Sequence, residues 1–123
     1  MSVHWTYDTY ALANGTAKAV TQAGGRLAPD AVRRWCERTE GFGASFYVMY
    51  GQTEGTARLS FLPPERLRDK LGSIGRGLPS TRLEVVRFDG TPVRPGSGEV
   101  GEIVASGENI TLGYWNDPLE TQR

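Results

Sequence analysis

The run Tyr50-Gly51-Gln52-Thr53-Glu54 places an aromatic face, a residue with no side chain, a hydroxyl and a carboxylate within one short stretch. Each has a use at a nucleotide. A tyrosine ring stacks on adenine, a glycine admits a ligand beside the main chain, a threonine hydroxyl donates to a phosphate oxygen, and a glutamate holds magnesium. One carboxylate suffices for that metal, because magnesium keeps several waters and takes further oxygens from the phosphates. On residue types alone the run also reads as a strand ending in a glycine turn, with Thr53 and Glu54 opening the next helix as a capping pair. That is the commoner meaning of such a pattern.

The elements that must position this loop follow from the residues around it. Ala19 to Ala23 is short and half apolar, and predicts a strand running into Gly24-Gly25, a backbone that glycine tolerates best. Pro29 suits the first position of a helix. Val32, Trp35, Cys36 and Thr39 follow at the spacing of one helical face, and Leu27 is placed to staple onto Val32. Arg33, Arg34 and Arg38 alternate in sign with Glu37 and Glu40 on the other side, as a solvated face does. Gly41 and Gly43 stop the helix. Ser45 to Tyr50 is aromatic and branched enough for a buried strand, parallel to the first because a crossover helix separates them. In open sheets of this kind ligands sit outside the carboxyl ends of the strands, so the Gly24-Gly25 bend and the Tyr50 to Glu54 loop are expected to face one crevice.

Downstream the pattern changes. Pro63-Pro64 breaks the chain, and Glu65 to Leu71 reads as one short charged helix before Gly72. Arg82 to Phe88 alternates, Asp89-Gly90 is a hairpin turn, Thr91 to Pro95 returns, and Glu99 to Ala105 supplies another strand. The expected fold class is α/β: a parallel β-α-β unit within residues 1–71, then a small antiparallel β sheet or partial barrel within 72–123, joined through Gly72 to Pro79. Residues 1–18 show no persistent period. Asn14-Gly15 is a turn signal there, Trp5, Tyr7 and Tyr10 read as a loose apolar cover over the sheet, and His4 as a solvent-facing residue.

Composition narrows the function classes. Lys and Arg match Asp and Glu at 14 each in 123 residues, with no block of like charge, which argues against nucleic acid or an acidic membrane surface as partner. No stretch approaches the roughly 18 apolar residues of a membrane span. The single cysteine, Cys36, closes no intramolecular disulfide; it reads as a small hydrophobe on the helix face, and a reducing compartment, the cytoplasm, is expected.

From about Ala19 to Arg123 the chain resembles the AMP-forming acyl-activating superfamily, which includes acyl-CoA synthetases, luciferases and the adenylation domains of peptide synthetases. Tyr50-Gly51-Gln52-Thr53-Glu54 is similar to its Y-G-x-T-E signature, and Gly24-Gly25-Arg26-Leu27 to its glycine-rich adenine loop. Gly72-Ser73-Ile74-Gly75-Arg76-Gly77-Leu78-Pro79 resembles its G-S-x-G segment. Gly98-Glu99-Val100-Gly101-Glu102-Ile103, then Ser106-Gly107-Glu108-Asn109, Gly113-Tyr114-Trp115 and Asp117-Pro118, resemble its G-E-V-G-E-I to G-Y-W motif.

The resemblance implies that residues 1–71 are part of an AMP-binding domain and 72–123 part of a mostly β subdomain, within a larger acyl-CoA synthetase-like fold. It implies that Tyr50 stacks on adenine, that Gly25 and Arg26 line its edge through their backbone, and that Gly24 and Gly51 border an acyl pocket. Gln52 belongs to the same nucleotide loop. Thr53 is to contact the α-phosphate and Glu54 to bind magnesium, making these two the catalytic pair, whereas Glu102, Asn109 and Tyr114 are expected to form the fold. The implied activity joins a carboxylic acid to AMP using ATP, releases pyrophosphate, and passes the acyl group to a thiol such as coenzyme A.

The family's Ser/Thr/Gly-rich phosphate loop has no counterpart before Gly24, and its T-G-D segment and lysine-bearing small domain lie beyond the motif that ends near Asp117-Pro118. The chain is therefore expected to be one part of such an enzyme, inactive alone. The alternatives from residue types are a nucleotide-binding module without catalysis, or a structural piece that forms a homo-oligomer through uncovered sheet edges.

Overall fold

A computed structural model describes residues 17–122, so the readings placed on His4, Trp5, Tyr7, Tyr10 and the Asn14-Gly15 turn lie outside the described residues. The expected β-α-β unit is present. Strand β1 (Ala19–Gln22) pairs in parallel with β2 (Ser45–Tyr50), with Val20 opposite Phe46 and Gln22 opposite Val48. Between them runs helix α1 (Pro29–Gly41), with proline in its first turn, Asp30 at the positive end of its dipole and Arg38 at the negative end.

The face of α1 read from spacing is the buried one. Val32 and Cys36 join Phe46, Leu62 and Leu67 in one apolar cluster, against which Leu27 and Trp35 pack. Trp35 lies stacked on Phe46 with ring centroids 6.1 Å apart. Thr39, also buried, donates its hydroxyl to the Trp35 and Cys36 carbonyls at 2.8 and 3.1 Å, which satisfies the group where water cannot reach it. Burial, and then the nearby Glu40 carboxylate, push the Cys36 thiol up, so it stays protonated and packs as a hydrophobe.

The sheet extends beyond the β-α-β unit. Strand β3 (Ser60–Leu62) runs antiparallel to β2, and β4 (Arg76–Gly77) antiparallel to β3, giving the order β1-β2-β3-β4. Neither strand was expected, because three and two residues are too short to show a period of two. The fourth strand comes from the glycine-rich stretch expected only to join the two halves. Gly75 makes that pairing possible: its φ is +78°, and a Cβ there would stand 1.9 Å from the Phe61 carbonyl oxygen.

The helix expected over Glu65 to Leu71 is a single 3-10 turn, Pro64–Arg66, followed by irregular turns. Pro63 and Pro64 give no N–H, the stretch is too short to nucleate a stable helix, and Leu67 is drawn into the core at 1% exposure. A second sheet, of β5 (Thr81–Val86) and β6 (Glu102–Gly107), is antiparallel as expected. The return after Asp89-Gly90 is one bridge, Val86 to Pro92, rather than a strand, since Pro92 and Pro95 cannot donate to a ladder.

Asn109 ties the two sheets together. Its side-chain oxygen accepts from the Thr81 hydroxyl at 3.0 Å, and its amide donates to the Arg58 carbonyl at 3.2 Å. Replacing Asn109 by alanine leaves both partners unsatisfied, so a loss of about 1 to 3 kcal/mol is expected in urea denaturation. A midpoint unchanged from the natural protein would contradict the bridging role.

Candidate functional site

The two glycine-bearing loops leave the carboxyl ends of the parallel strands β1 and β2 and line one open cavity of about 1100 Å³. Gly24, Gly25 and Arg26 form one wall; Tyr50, Gly51, Gln52 and Thr53 form another. Gly72, Ser73 and Ile74 contribute a third, and core residues such as Leu62 and Leu67 reach its inner end. Seven of the eight residues singled out by sequence are thus on the wall of one cavity. The eighth, Glu54, is not, although its neighbours Thr53 and Thr56 are.

The first loop is held from below. Gly24 has a φ of +88°, and buried Gln22 donates its side-chain amide to the Gly25 carbonyl at 2.6 Å. Among the described residues, its chain neighbours aside, no atom lies within 4 Å of where a Gly25 Cβ would be, so this backbone edge is open to a ligand. In the second loop Gln52 donates to the Tyr50 hydroxyl at 3.1 Å. Gly51 is glycine for a reason the sequence reading did not supply: a Cβ there would meet the Ala57 carbonyl oxygen at 2.2 Å and the Arg58 Cα at 2.8 Å. The chain itself, before any ligand, requires the missing side chain.

That crowding comes from a tight reversal. Residues Thr53–Gly55 make one 3-10 turn, the Gln52 carbonyl accepts from both Gly55 and Ala57, and Leu59 N–H closes the reversal onto the Tyr50 carbonyl at 2.8 Å. Thr56 and Ala57 have φ of 46° and 71°, a left-handed backbone that non-glycine residues enter only when neighbours hold them there. The capping-pair reading of Thr53 and Glu54 is thus half realised: the turn is present, but no side-chain cap bond forms and no α-helix follows.

Glu54 turns toward the segment after β6. The Tyr114 hydroxyl donates to its Oε1, and the Thr111 N–H donates to its main-chain carbonyl at 2.7 Å. The bond from Tyr114 holds the Glu54 carboxyl below the usual carboxylate range, while the same contact pushes the Tyr114 phenol up. Because the folded value is depressed, any stabilisation from the pair is complete above the unfolded carboxyl value and is lost as pH falls through the folded one. Glu54 is consequently ionised at neutral pH, with Oε2 outside this bond.

Sequence reasoning missed two participants. Arg58 lines the cavity together with Arg26, and among the described residues no carboxylate does, so this lining is electropositive and suits an anion. Tyr114 was read as fold-forming, and spacing gave no signal that it would reach a residue 60 positions earlier. Among the described residues there is no group of three or more His, Cys, Asp or Glu that could hold a metal, and no helix long and apolar enough to cross a membrane. A metal held by one carboxylate and by phosphate oxygens fits this donor set; one needing an all-protein cage does not.

Comparison with known proteins adds a family and several relatives. A family model described as AMP-binding enzyme matches residues 4–115. A 2-succinylbenzoate–CoA ligase of Geobacillus kaustophilus (strain HTA426) is 39% identical over 98 residues, 80% of this chain and 19% of that protein. An indoleacetate–CoA ligase of Aromatoleum aromaticum is 34% identical over 94 residues, 76% of this chain and 18% of that protein. The chain thus spans about a fifth of the length of these curated relatives. Among solved structures, the o-succinylbenzoate CoA synthetase of Bacillus subtilis in complex with its acyl-adenylate intermediate matches with a TM-score of 0.74 at 28% identity. That match covers 85% of this chain and 20% of that one. The same enzyme with ATP and magnesium matches with a TM-score of 0.70 at 29% identity, with the same two coverages.

Proposed function

The chain belongs to the AMP-binding enzyme family, and from that premise we propose that the protein at its full natural length activates a carboxylic acid. ATP and the acid give an acyl-adenylate and pyrophosphate, and the acyl group then passes to a thiol such as coenzyme A. The observation that carries this reading is the single cavity shared by the Gly24-Gly25 bend and the Tyr50 to Thr53 loop.

In this assignment Tyr50 stacks on adenine, and the open backbone at Gly25 with Arg26 lines the edge of the purine. Gln52 steadies the Tyr50 ring through its hydroxyl. Thr53 donates its hydroxyl to the α-phosphate, and Gly24 and Gly51 border the acyl group. Arg26 and Arg58 supply the positive charge that the cavity offers to phosphates. Glu54 is the residue that would hold magnesium, which when bound neutralises charge developing on the phosphates. Two arginines are a small part of the field that attack of a carboxylate on a phosphate requires, so the 123-residue chain alone is expected to make no adenylate. The cytoplasm is the proposed compartment, in keeping with a buried, protonated Cys36.

The test is pyrophosphate exchange by the full natural-length protein over a panel of fatty, aromatic and amino acids. At least one acid should stimulate exchange well above the acid-free rate. A flat response across the panel, with AMP binding intact, would favour a nucleotide-binding module without catalysis.

A further inference from the structure

The loop that carries Thr53 and Glu54 is held in place from a distant part of the chain. Three hydrogen bonds reach it from the segment after β6: Asn109 to the Arg58 carbonyl at 3.2 Å, the Thr111 N–H to the Glu54 carbonyl at 2.7 Å, and the Tyr114 hydroxyl to Glu54 Oε1. Only the last touches a functional group of the side chain. Tyr114 is itself anchored, since its N–H donates to the Thr121 hydroxyl at 2.9 Å and that hydroxyl donates onward to the Asp117 carbonyl at 2.7 Å.

A glutamate on a half-buried turn has three side-chain torsions to settle. The turn beneath it, with left-handed Thr56 and Ala57, is closed by main-chain bonds that do not involve the Glu54 carboxylate. A donor fixed on one carboxylate oxygen removes that freedom and leaves the second oxygen for a cation. Partners of this kind, bonded to a ligand rather than to the metal, commonly set metal affinity.

We propose that Tyr114 is a positioning residue that aims the Glu54 carboxylate, with Oε1 held by the phenol and Oε2 presented to a divalent cation at the rim of the cavity. This rests on the reading of Glu54 as the magnesium-binding residue. It gives Tyr114 a task beyond forming the fold: the β5-β6 unit supplies part of the machinery of the Tyr50 to Glu54 loop.

The experiment uses the full natural-length protein, Mn2+ as a paramagnetic probe, and a non-hydrolysable α,β-methylene analogue of ATP. Free Mn2+ is read from its electron paramagnetic resonance signal. Tyr114→Phe is expected to weaken Mn2+ binding about tenfold, while affinity for the nucleotide analogue without metal and the thermal midpoint stay near those of the natural protein. Should Tyr114→Phe fold poorly, Thr121→Val loosens the Tyr114 main chain while keeping its hydroxyl, and should weaken Mn2+ binding in the same selective way. Equal losses of metal and metal-free nucleotide affinity would overturn the inference, because they mark a purely structural role. So would Mn2+ binding by Tyr114→Phe within twofold of natural, when Glu54→Gln has lost it; the magnesium reading of Glu54 would then stand alone. Unchanged Mn2+ binding by Glu54→Gln sinks that reading and the positioning role with it.

Discussion

Glu54→Gln in the full natural-length protein is expected to lower acid-dependent pyrophosphate exchange by about 100-fold, with little change in the KM for the acid. Glutamine has the size of glutamate, and its side-chain oxygen still accepts from the Tyr114 hydroxyl that now bonds Oε1. The turn from Gln52 to Leu59 is held by main-chain bonds that the substitution leaves in place. What disappears is the negative charge, which the bond from Tyr114 favours by holding the carboxyl below the usual carboxylate range. The loss should therefore fall on kcat and on the magnesium concentration needed for half-maximal rate, since a neutral amide is a poor ligand for a hard cation. Exchange within threefold of natural at limiting magnesium would remove Glu54 from the chemistry.

The contrast between Glu54 and the rest of its loop shows what the sequence could and could not say. On residue types alone Tyr50, Gly51 and Thr53 read more readily as a glycine turn, and only the resemblance pointed to a nucleotide, whereas the β-α-β pattern put both glycine-bearing loops at the carboxyl ends of parallel strands, where the structure has them sharing a cavity. These inferences rest on local periodicity: the apolar face of α1 repeats at helical spacing, and β2 is long and aromatic enough to stand out. The parts that were missed depend on contacts distant in sequence. Strands β3 and β4 form because their neighbours offer a ladder edge and Gly75 permits close approach, neither of which marks three residues as a strand in advance. Arg58 reaches the cavity only because the chain reverses at Thr56 and Ala57, in a conformation those residue types disfavour. Tyr114 meets Glu54 only because the second sheet docks where Asn109 fastens it.

The glycine at position 51 separates local from imposed structure most sharply. Gly51→Ala is expected to cost about 2 to 3 kcal/mol in denaturant unfolding, and to weaken nucleotide binding more than tenfold. The added Cβ would stand 2.2, 2.7 and 2.8 Å from the Ala57 oxygen, the Ala57 carbonyl carbon and the Arg58 Cα. These are main-chain atoms, so no rotamer change relieves the clash. The reversal must open, and the bonds that the Gln52 and Tyr50 carbonyls accept, which fix Thr53 and Glu54, open with it. Gly41→Ala is the matched control: among the described residues, the helix's own nearby backbone and the chain neighbours aside, a Cβ at the end of α1 meets no atom within 4 Å, and the backbone there is helical. That change should be neutral or stabilising by about 0.5 kcal/mol, through the reduced entropy of the unfolded chain. Gly55→Ala falls between them, because its Cβ meets the end of the Leu59 side chain rather than backbone, although Leu59 is buried and has little room to yield. The order of the three costs is thus set by what each new methyl group strikes: main chain at 51, a packed side chain at 55, and water at 41. A Gly51→Ala protein as stable as natural would mean that the loop relaxes freely, and a loop that relaxes freely cannot hold Thr53 and Glu54 in a fixed relation to a phosphate.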